Sequence, residues 1–517
     1  MVKCGLLAIR FKMKKYFDVY PRVFYPSLLI IIFFVLVSIL GGDYIRLAFS
    51  KLSSLITEKT GWLFIIGVNL FVVFCFWIAF GKYGNKRLGG KFAKPEFSIF
   101  AWFSMLFSAG MGIGLLYFSV SEPIQHFSTP PMIASSEADI AIQALDFTFL
   151  HYGLHAWAIY CVVGLALAYY AFNKHLPFSL RSVFFPILGR NINSIWGDII
   201  DIIAVVATLF GLATSLGFGA RQIASGLKFL FEIDSGIVTQ ITIIIVITSI
   251  ATISVITGLK KGVQFLSKLN MVVALIFLIF VLFISDPLGV FKIFIESTGM
   301  YFQRFIELGT WSSSFVNSDW QNDWSIFYWA WWIAWSPFVG MFIARISKGR
   351  TIKEFILGVL FVPTLITFFW ISTFGGSALI LELNFPGLIS TPVLEDDSTS
   401  LFVFLNEFPL SGLTSLIGIF MVSVFFVTSS DSGSLVIDSI TSGGKLTAPV
   451  GQRIMWALIE GAVAIALLLG GGLRAMQTAS VSSGILFLFV LFFMCFSLIK
   501  SFRRDRRKAL HKKLNKN

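Results

Sequence analysis

The sequence predicts an all-α polytopic membrane protein, on three observations. Of 517 residues, 56% are hydrophobic and only 13% charged, with mean hydropathy +0.85, whereas soluble chains carry about 25% charged residues. Twelve apolar stretches approach the roughly 20 residues that a helix needs to cross a bilayer. Basic residues gather in alternate connections and at the two ends, as membrane topology requires. Together these exclude a soluble globular domain and a disordered chain. They also make nucleic acid a poor explanation of the net charge of +13.

The stretches fall at about 25–42, 62–80, 98–119, 149–171, 199–219, 237–257, 269–289, 326–345, 354–380, 412–430, 454–472 and 480–499. No cleavage motif precedes the first, so it is expected to remain as a helix. The fifth holds Asp201 and several glycines and is the least regular. Six Lys/Arg lie in the first 24 residues, five in 81–97 and nine in 500–517, whereas 120–148 and 381–411 have none. Glu122, Glu137, Asp139, Glu382, Glu395, Asp396 and Asp397 sit in those two external loops. The positive-inside rule therefore puts both termini in the cytoplasm, which an even number of crossings satisfies. Residues 291–325 open with apolar groups at helical spacing, as in an amphipathic helix on the outer surface. The four cysteines show no disulfide or zinc spacing and read as small apolar residues.

The third segment contains "GMGIG", with Gly110, Gly112 and Gly114 at membrane depth. Close packing through a GxxxG spacing is one explanation. Three glycines in five residues exceed that need and point to a broken helix, whose freed carbonyls must line a cavity or bind a ligand. The tenth segment carries Thr428, Ser429 and Ser430 near its inner end. Neutral hydroxyl and carbonyl oxygens suit a monovalent cation such as Na⁺, expected between the two segments. Asp431 reads as a group of the inner mouth.

The eighth segment is "WSIFYWAWWIAWSPF". Tyr328, Trp332 and Trp335 share one helix face, and Trp331, Trp335 and Phe338 form an adjoining stripe. In the fourth, Tyr152, Trp157 and Tyr160 fall within one arc. A plain core would use Leu, Ile and Phe, because every buried indole N–H needs a partner. Aromatic faces bind what aliphatic ones cannot, a quaternary ammonium with no N–H for a carboxylate to grip. Trp329 points away from this face and reads as packing. His151 and His155 share a face without a third ligand and read as interfacial, and no catalytic set is visible.

These stretches resemble the betaine/choline/carnitine transporter family. The resemblance rests on "GMGIGLLYFSVSEP", "HYGLHAWAIYCVVGLALAYYAF", "TLFGLATSLGFGARQIASGL" and "DWQNDWSIFYWAWWIAWSPFVGMFIARISKGR", and it spans nearly the whole chain. It implies twelve helices: two peripheral ones in 25–97, then a 5+5 inverted-repeat core in 98–290 and 326–499. Residues 1–24 and 500–517 would be basic cytoplasmic ends, and 291–325 the external connection. It also implies an aromatic box of Tyr152, Trp157, Tyr160, Trp331, Trp332 and Trp335, beside Gly112 and Gly114. The family usually has Trp where this chain has Tyr152. A sodium site would use the carbonyls of Ser108, Met111 and Phe425 with the hydroxyls of Thr428 and Ser429. A second would use Thr208 beside Phe338, but its other hydroxyl position is Leu212, although Thr214 is near.

Met271 stands where sodium-independent carnitine exchangers of the family place Arg, and Gly114 where proton-coupled choline carriers tend to have Asp. The resemblance thus implies Na⁺ symport of a quaternary ammonium osmolyte, glycine betaine first. It implies no chemical step, no cofactor beyond Na⁺ as coupling ion, and a homotrimer in the inner membrane. The alternative is a proton-coupled or exchanging carrier of choline or carnitine.

Overall fold

A computed structural model describes residues 17–110, 112–257, 260–315, 318–445 and 449–514. The longer helices are α1 (Pro21–Leu40), α2 (Gly42–Phe80), α3 (Ile99–Gly110), α4 (Ile113–Ser128), α5 (Glu137–Tyr152) and α6 (Leu154–Ala168). They continue with α7 (Ile195–Phe231), α8 (Ile237–Thr257), α9 (Lys260–Ile284), α10 (Pro287–Gln303), α11 (Phe305–Thr310) and α12 (Phe327–Ile346). The last are α13 (Ile352–Ile371), α14 (Ser377–Asn384), α15 (Ser411–Thr441), α16 (Val450–Leu469) and α17 (Leu473–Leu514). The fold is all-α, and the described residues contain no strand.

Among the described residues, eleven helical stretches are long and apolar enough to cross a membrane. The third apolar segment is absent from that count because it is divided. α3 has 12 residues and α4 has 16, each short of a full crossing. Gly112, between them, is extended (φ −145°, ψ −173°). A second break falls at Gly153 (φ −90°, ψ −147°), between α5 and α6. A Cβ there would stand 2.7 Å from the Tyr301 hydroxyl of α10. The break frees the Leu154 N–H, which donates to that hydroxyl at 3.1 Å. Burial pushes the Tyr301 phenol up, so it stays protonated. α10 is thus fastened to the break between α5 and α6, and Arg304, following α10, adds an ion pair to Asp146 at 2.9 Å.

Burial locates the centre of the bundle. In the most apolar window of α5–α6, 94% of residues are buried, and in that of α12 89%, against 28% for α8. The outer helices show apolar side chains instead, such as Leu29, Phe33, Phe283 and Phe493, which suits contact with lipid tails. Small residues let the central helices approach. A Cβ at Gly340 of α12 would lie 2.5 Å from Val163 of α6.

Two expectations for the polar residues change. The connection at 120–148 is mostly helix, and Glu122 is fully buried in α4 rather than exposed in an external loop. In the other connection, Glu382 is 4% exposed and accepts from the backbone N–H groups of Gly387, Ile389 and Ser390, so it caps a turn. Asp201, the anomaly of the fifth segment, is neutralised by Arg181 Nε at 2.5 Å, and Arg181 also reaches Asp198 at 2.9 Å. α17 carries the basic end outward as continuous helix, where Asp505 joins Lys86, Lys174 and Tyr169. Burial pulls the Lys86 ammonium below its ordinary value, and Asp505 opposes the fall.

Candidate functional site

The site forms where α4, α6 and α12 meet below the Gly112 break. Restarting the helix at Ile113 puts Gly114 in the first turn of α4, facing the tryptophans of α12. The Tyr152 hydroxyl donates to the Gly114 carbonyl at 3.0 Å. Gly114 is needed for clearance: a Cβ on it would stand 2.9 Å from Trp331 Cη2 and 3.7 Å from Trp332 Cη2. At Gly112 it would meet Trp335 Cη2 at 3.7 Å, an ordinary contact.

Trp332 is the centre of the aromatic group. Tyr152 lies 5.6 Å from it at 68°, Tyr160 6.4 Å at 70°, Tyr328 5.7 Å at 41°, and Trp331 stacks on it at 4.8 Å and 11°. Its indole N–H donates to the His151 carbonyl at 2.8 Å, fixing the ring plane. Trp331 donates to the Gly211 carbonyl of α7 at 3.3 Å. Trp332 is 9% exposed and Trp331 1%, so the cage is closed and Trp331 forms its back wall. Trp157 packs edge-on against Tyr160 at 5.5 Å, and that is its only ring pair among the described residues. Trp335 packs on Phe338 at 5.5 Å and its indole nitrogen has no partner among the described residues. Trp329 turns to the other side, near His151 and His155.

Behind the cage lies a group that the sequence reading did not connect with it. Glu122 accepts from His151 Nδ1 at 2.6 Å, from His126 Nε2 at 3.2 Å and from the Tyr328 hydroxyl. Tyr328 and Tyr152 are joined hydroxyl to hydroxyl at 3.3 Å. The His151 ring stacks on Tyr328 at 4.6 Å, and its Nε2 meets Ser325 Oγ at 2.9 Å. All three ionisable side chains have 0% exposure. His151 and His155 are therefore buried, not interfacial. The donor atoms of Glu122, His126 and His151 lie within 4.8 Å of one another, and hydrogen bonds already occupy them, which makes the cluster a strut for the cage. The i, i+4 spacing of Glu122 and His126 was a visible signal, obscured by assigning both to a loop.

A second set of polar contacts ties α4 and α7 together. Tyr117 of α4 donates to Asp397 at 2.9 Å, and Arg221 of α7 reaches Asp396 and Asp397, each at 3.2 Å. These bonds hold the broken helix and α7 to the 390–399 segment.

The proposed ion ligands are only partly in view. Met111 and the side chain of Ser108 lie outside the described residues. In α15, the Thr428 hydroxyl donates back to the carbonyls of Val424 at 2.9 Å and Phe425 at 3.2 Å. That geometry occupies its proton and leaves the oxygen lone pairs for a cation. Ser429 is 9% exposed. At the second position Thr208 is fully buried with its hydroxyl unpartnered among the described residues, and Leu212 contributes no oxygen. Thr214 is committed elsewhere, to Phe210, Met476 and Ser480 on α7 and α17.

A closed aromatic cage beside a broken helix, at the centre of a multi-pass helical bundle, defines a membrane transporter for quaternary ammonium compounds. Comparison with known proteins agrees: the profile of the BCCT, betaine/carnitine/choline family transporters matches residues 22–507. Glycine betaine transporter 1 of Vibrio parahaemolyticus is 45% identical over 502 residues, 95% of each chain. A glycine betaine/proline/choline/ectoine transporter of the same organism is 45% identical, over 95% of this chain and 88% of its own. The glycine betaine transporter of Acinetobacter baylyi is 41% identical, over 96% of this chain and 75% of its own. The chain belongs to the betaine/carnitine/choline transporter family and is a transporter of betaine/choline type, not an enzyme.

Proposed function

We propose that the protein imports glycine betaine across the cytoplasmic membrane by Na⁺ symport. The observation that carries the substrate class is the cage around Trp332, where Tyr152, Tyr160, Tyr328 and Trp331 present ring faces and edges but no carboxylate. A permanently charged ammonium without N–H donors is the ligand such a surface favours. Glycine betaine brings its own carboxylate, and the first turn of α4, starting at Ile113 after the Gly112 cap, offers backbone N–H groups suited to an anion. Gly114 leaves no acidic side chain to pair with a pure cation, which favours the zwitterion over choline.

Na⁺ is placed between the α3–α4 break and α15, with the Thr428 and Ser429 oxygens and the carbonyls of Ser108, Met111 and Phe425. The ion would tie the broken helix to α15 when substrate is present. We count α3 with α4 as one broken crossing, giving twelve crossings, cytoplasmic ends and two inverted repeats of five helices. A homotrimer is the proposed assembly, by resemblance alone.

The test is uptake of labelled glycine betaine into proteoliposomes with and without an inward Na⁺ gradient. Accumulation above the outside concentration only with the gradient supports symport. Uptake indifferent to Na⁺ but driven by a pH gradient would replace it with proton coupling.

A further inference from the structure

One fully buried carboxylate in the bundle belongs neither to the cage nor to an ion pair. Glu460 of α16 has 0% exposure. Its Oε2 accepts from Ser430 Oγ of α15 at 2.9 Å, whereas Oε1 has no partner among the described residues. The carboxylate sits where three helices meet. A Cβ on Gly433 of α15 would be 3.2 Å from Glu460 Oε1 and 2.2 Å from Leu212 Cδ1 of α7.

The charges around it do not neutralise it. Arg453, two turns earlier on α16, pairs with Asp431 at 3.3 Å. Asp438, also on α15, is 1% exposed and is a further acid of the same region. Arg453 is thus taken up by Asp431, and among the described residues no basic side chain pairs with Glu460. α7 presents Leu212, and its acids Asp198 and Asp201 are held by Arg181. α8 presents Thr248 against Gly461 and has no charged residue between Ile237 and Thr257. An ionised carboxylate in such surroundings costs many kcal/mol unless a cation or proton compensates it. Oε1, the oxygen without a partner, is available to either, and Ser430 follows directly on Thr428 and Ser429 in the helix proposed to hold Na⁺.

We propose that Glu460 and Ser430 form a further monovalent-cation site, taking Na⁺ or H⁺, which loads and unloads during the transport cycle. It adds one compensating charge on α15, on a different face from Thr428. It rests on the transport reading but not on which ion the Thr428 site takes.

The experiment compares wild type with Glu460→Gln and Ser430→Ala in proteoliposomes. Uptake of labelled glycine betaine, ²²Na⁺ uptake and the pH dependence of transport are measured together. Substrate binding by detergent-purified protein, followed by tryptophan fluorescence, should stay within about twofold of wild type in both variants, because neither residue touches the cage. If the site takes Na⁺, Glu460→Gln lowers the Na⁺ to substrate ratio by one and leaves the pH profile unchanged. If it takes H⁺, the variant keeps the Na⁺ ratio and loses a pH-dependent phase that wild type shows. In either case Ser430→Ala raises the half-saturating concentration of that cation several-fold. The proposal is overturned if Glu460→Gln matches wild type in both ratio and pH profile. Should that variant fail to fold, an unchanged cation dependence in Ser430→Ala overturns it instead. Failure of the transport reading is seen separately, as absent uptake by the wild type.

Discussion

Replacing Trp332 with Leu is the most direct test of the cage. The ring lies within 4.8–6.4 Å of Tyr152, Tyr160, Tyr328 and Trp331, so its loss removes the face that all the others surround. A desolvated cation–π contact contributes about 2 kcal/mol. Leucine also leaves the His151 carbonyl without the indole N–H it accepts at 2.8 Å, at a further cost of about 1 kcal/mol. The first effect weakens binding about 30-fold, at tenfold per 1.4 kcal/mol, whereas the second is a cost to the fold with or without ligand. The measurement is calorimetric titration of purified protein with glycine betaine, with gel filtration confirming an intact bundle. Trp332→Phe keeps a ring and should lose less. Trp329→Phe, on the face turned toward the histidines, should bind like wild type. Binding by Trp332→Leu within threefold of wild type would show that the ammonium does not rest on this ring, and the argument from indole clustering would fall.

Gly114→Ala should abolish most uptake while the protein still inserts, because its Cβ meets Trp331 at 2.9 Å, and Gly112→Ala, at 3.7 Å from Trp335, should be milder; transport assays on matched membrane amounts separate the two. Glu122→Gln replaces one accepting oxygen by an N–H₂ group in a cluster where His126, His151 and Tyr328 all donate, so thermal unfolding in detergent should fall by several degrees and substrate KM should rise; an unchanged melting curve would deny the strut. Tyr152→Phe keeps the ring but removes the hydroxyl's hydrogen bond to the Gly114 carbonyl, worth roughly 1 kcal/mol, and should raise KM by no more than about fivefold in uptake assays. Thr428→Ala should raise the Na⁺ concentration for half-maximal uptake at least several-fold without altering the melting curve, because the hydroxyl's own hydrogen bonds run only to carbonyls of its helix.

The sequence by itself determined the environment, the number of apolar stretches and the ligand class. Those properties are local. Hydropathy needs only composition over about 20 residues, and the tryptophan stripe follows from the helical repeat. The "GMGIG" run also announced the break, because backbone that abandons helix at membrane depth needs residues without side chains in the way. The polar residues were the exception. Glu122 and Glu382 read as loop charges because hydropathy rewards water exposure. Two of Glu122's partners lie 29 and 206 residues away, at His151 and Tyr328, which no short window contains, whereas Glu382 is buried by the turn it caps five to eight residues on.

Only the tertiary structure could decide three further matters. It assigned Trp331 to the back wall and Trp332 to the centre, though they are neighbours on one helix. It seated Tyr301 of α10 in the gap left by Gly153. It left Glu460 with one hydrogen bond from another helix and one oxygen without a partner among the described residues. Each depends on which helices pack together, and packing inside a membrane is set by close fit and by satisfying buried polar groups across helices, which a linear pattern of apolar residues does not encode.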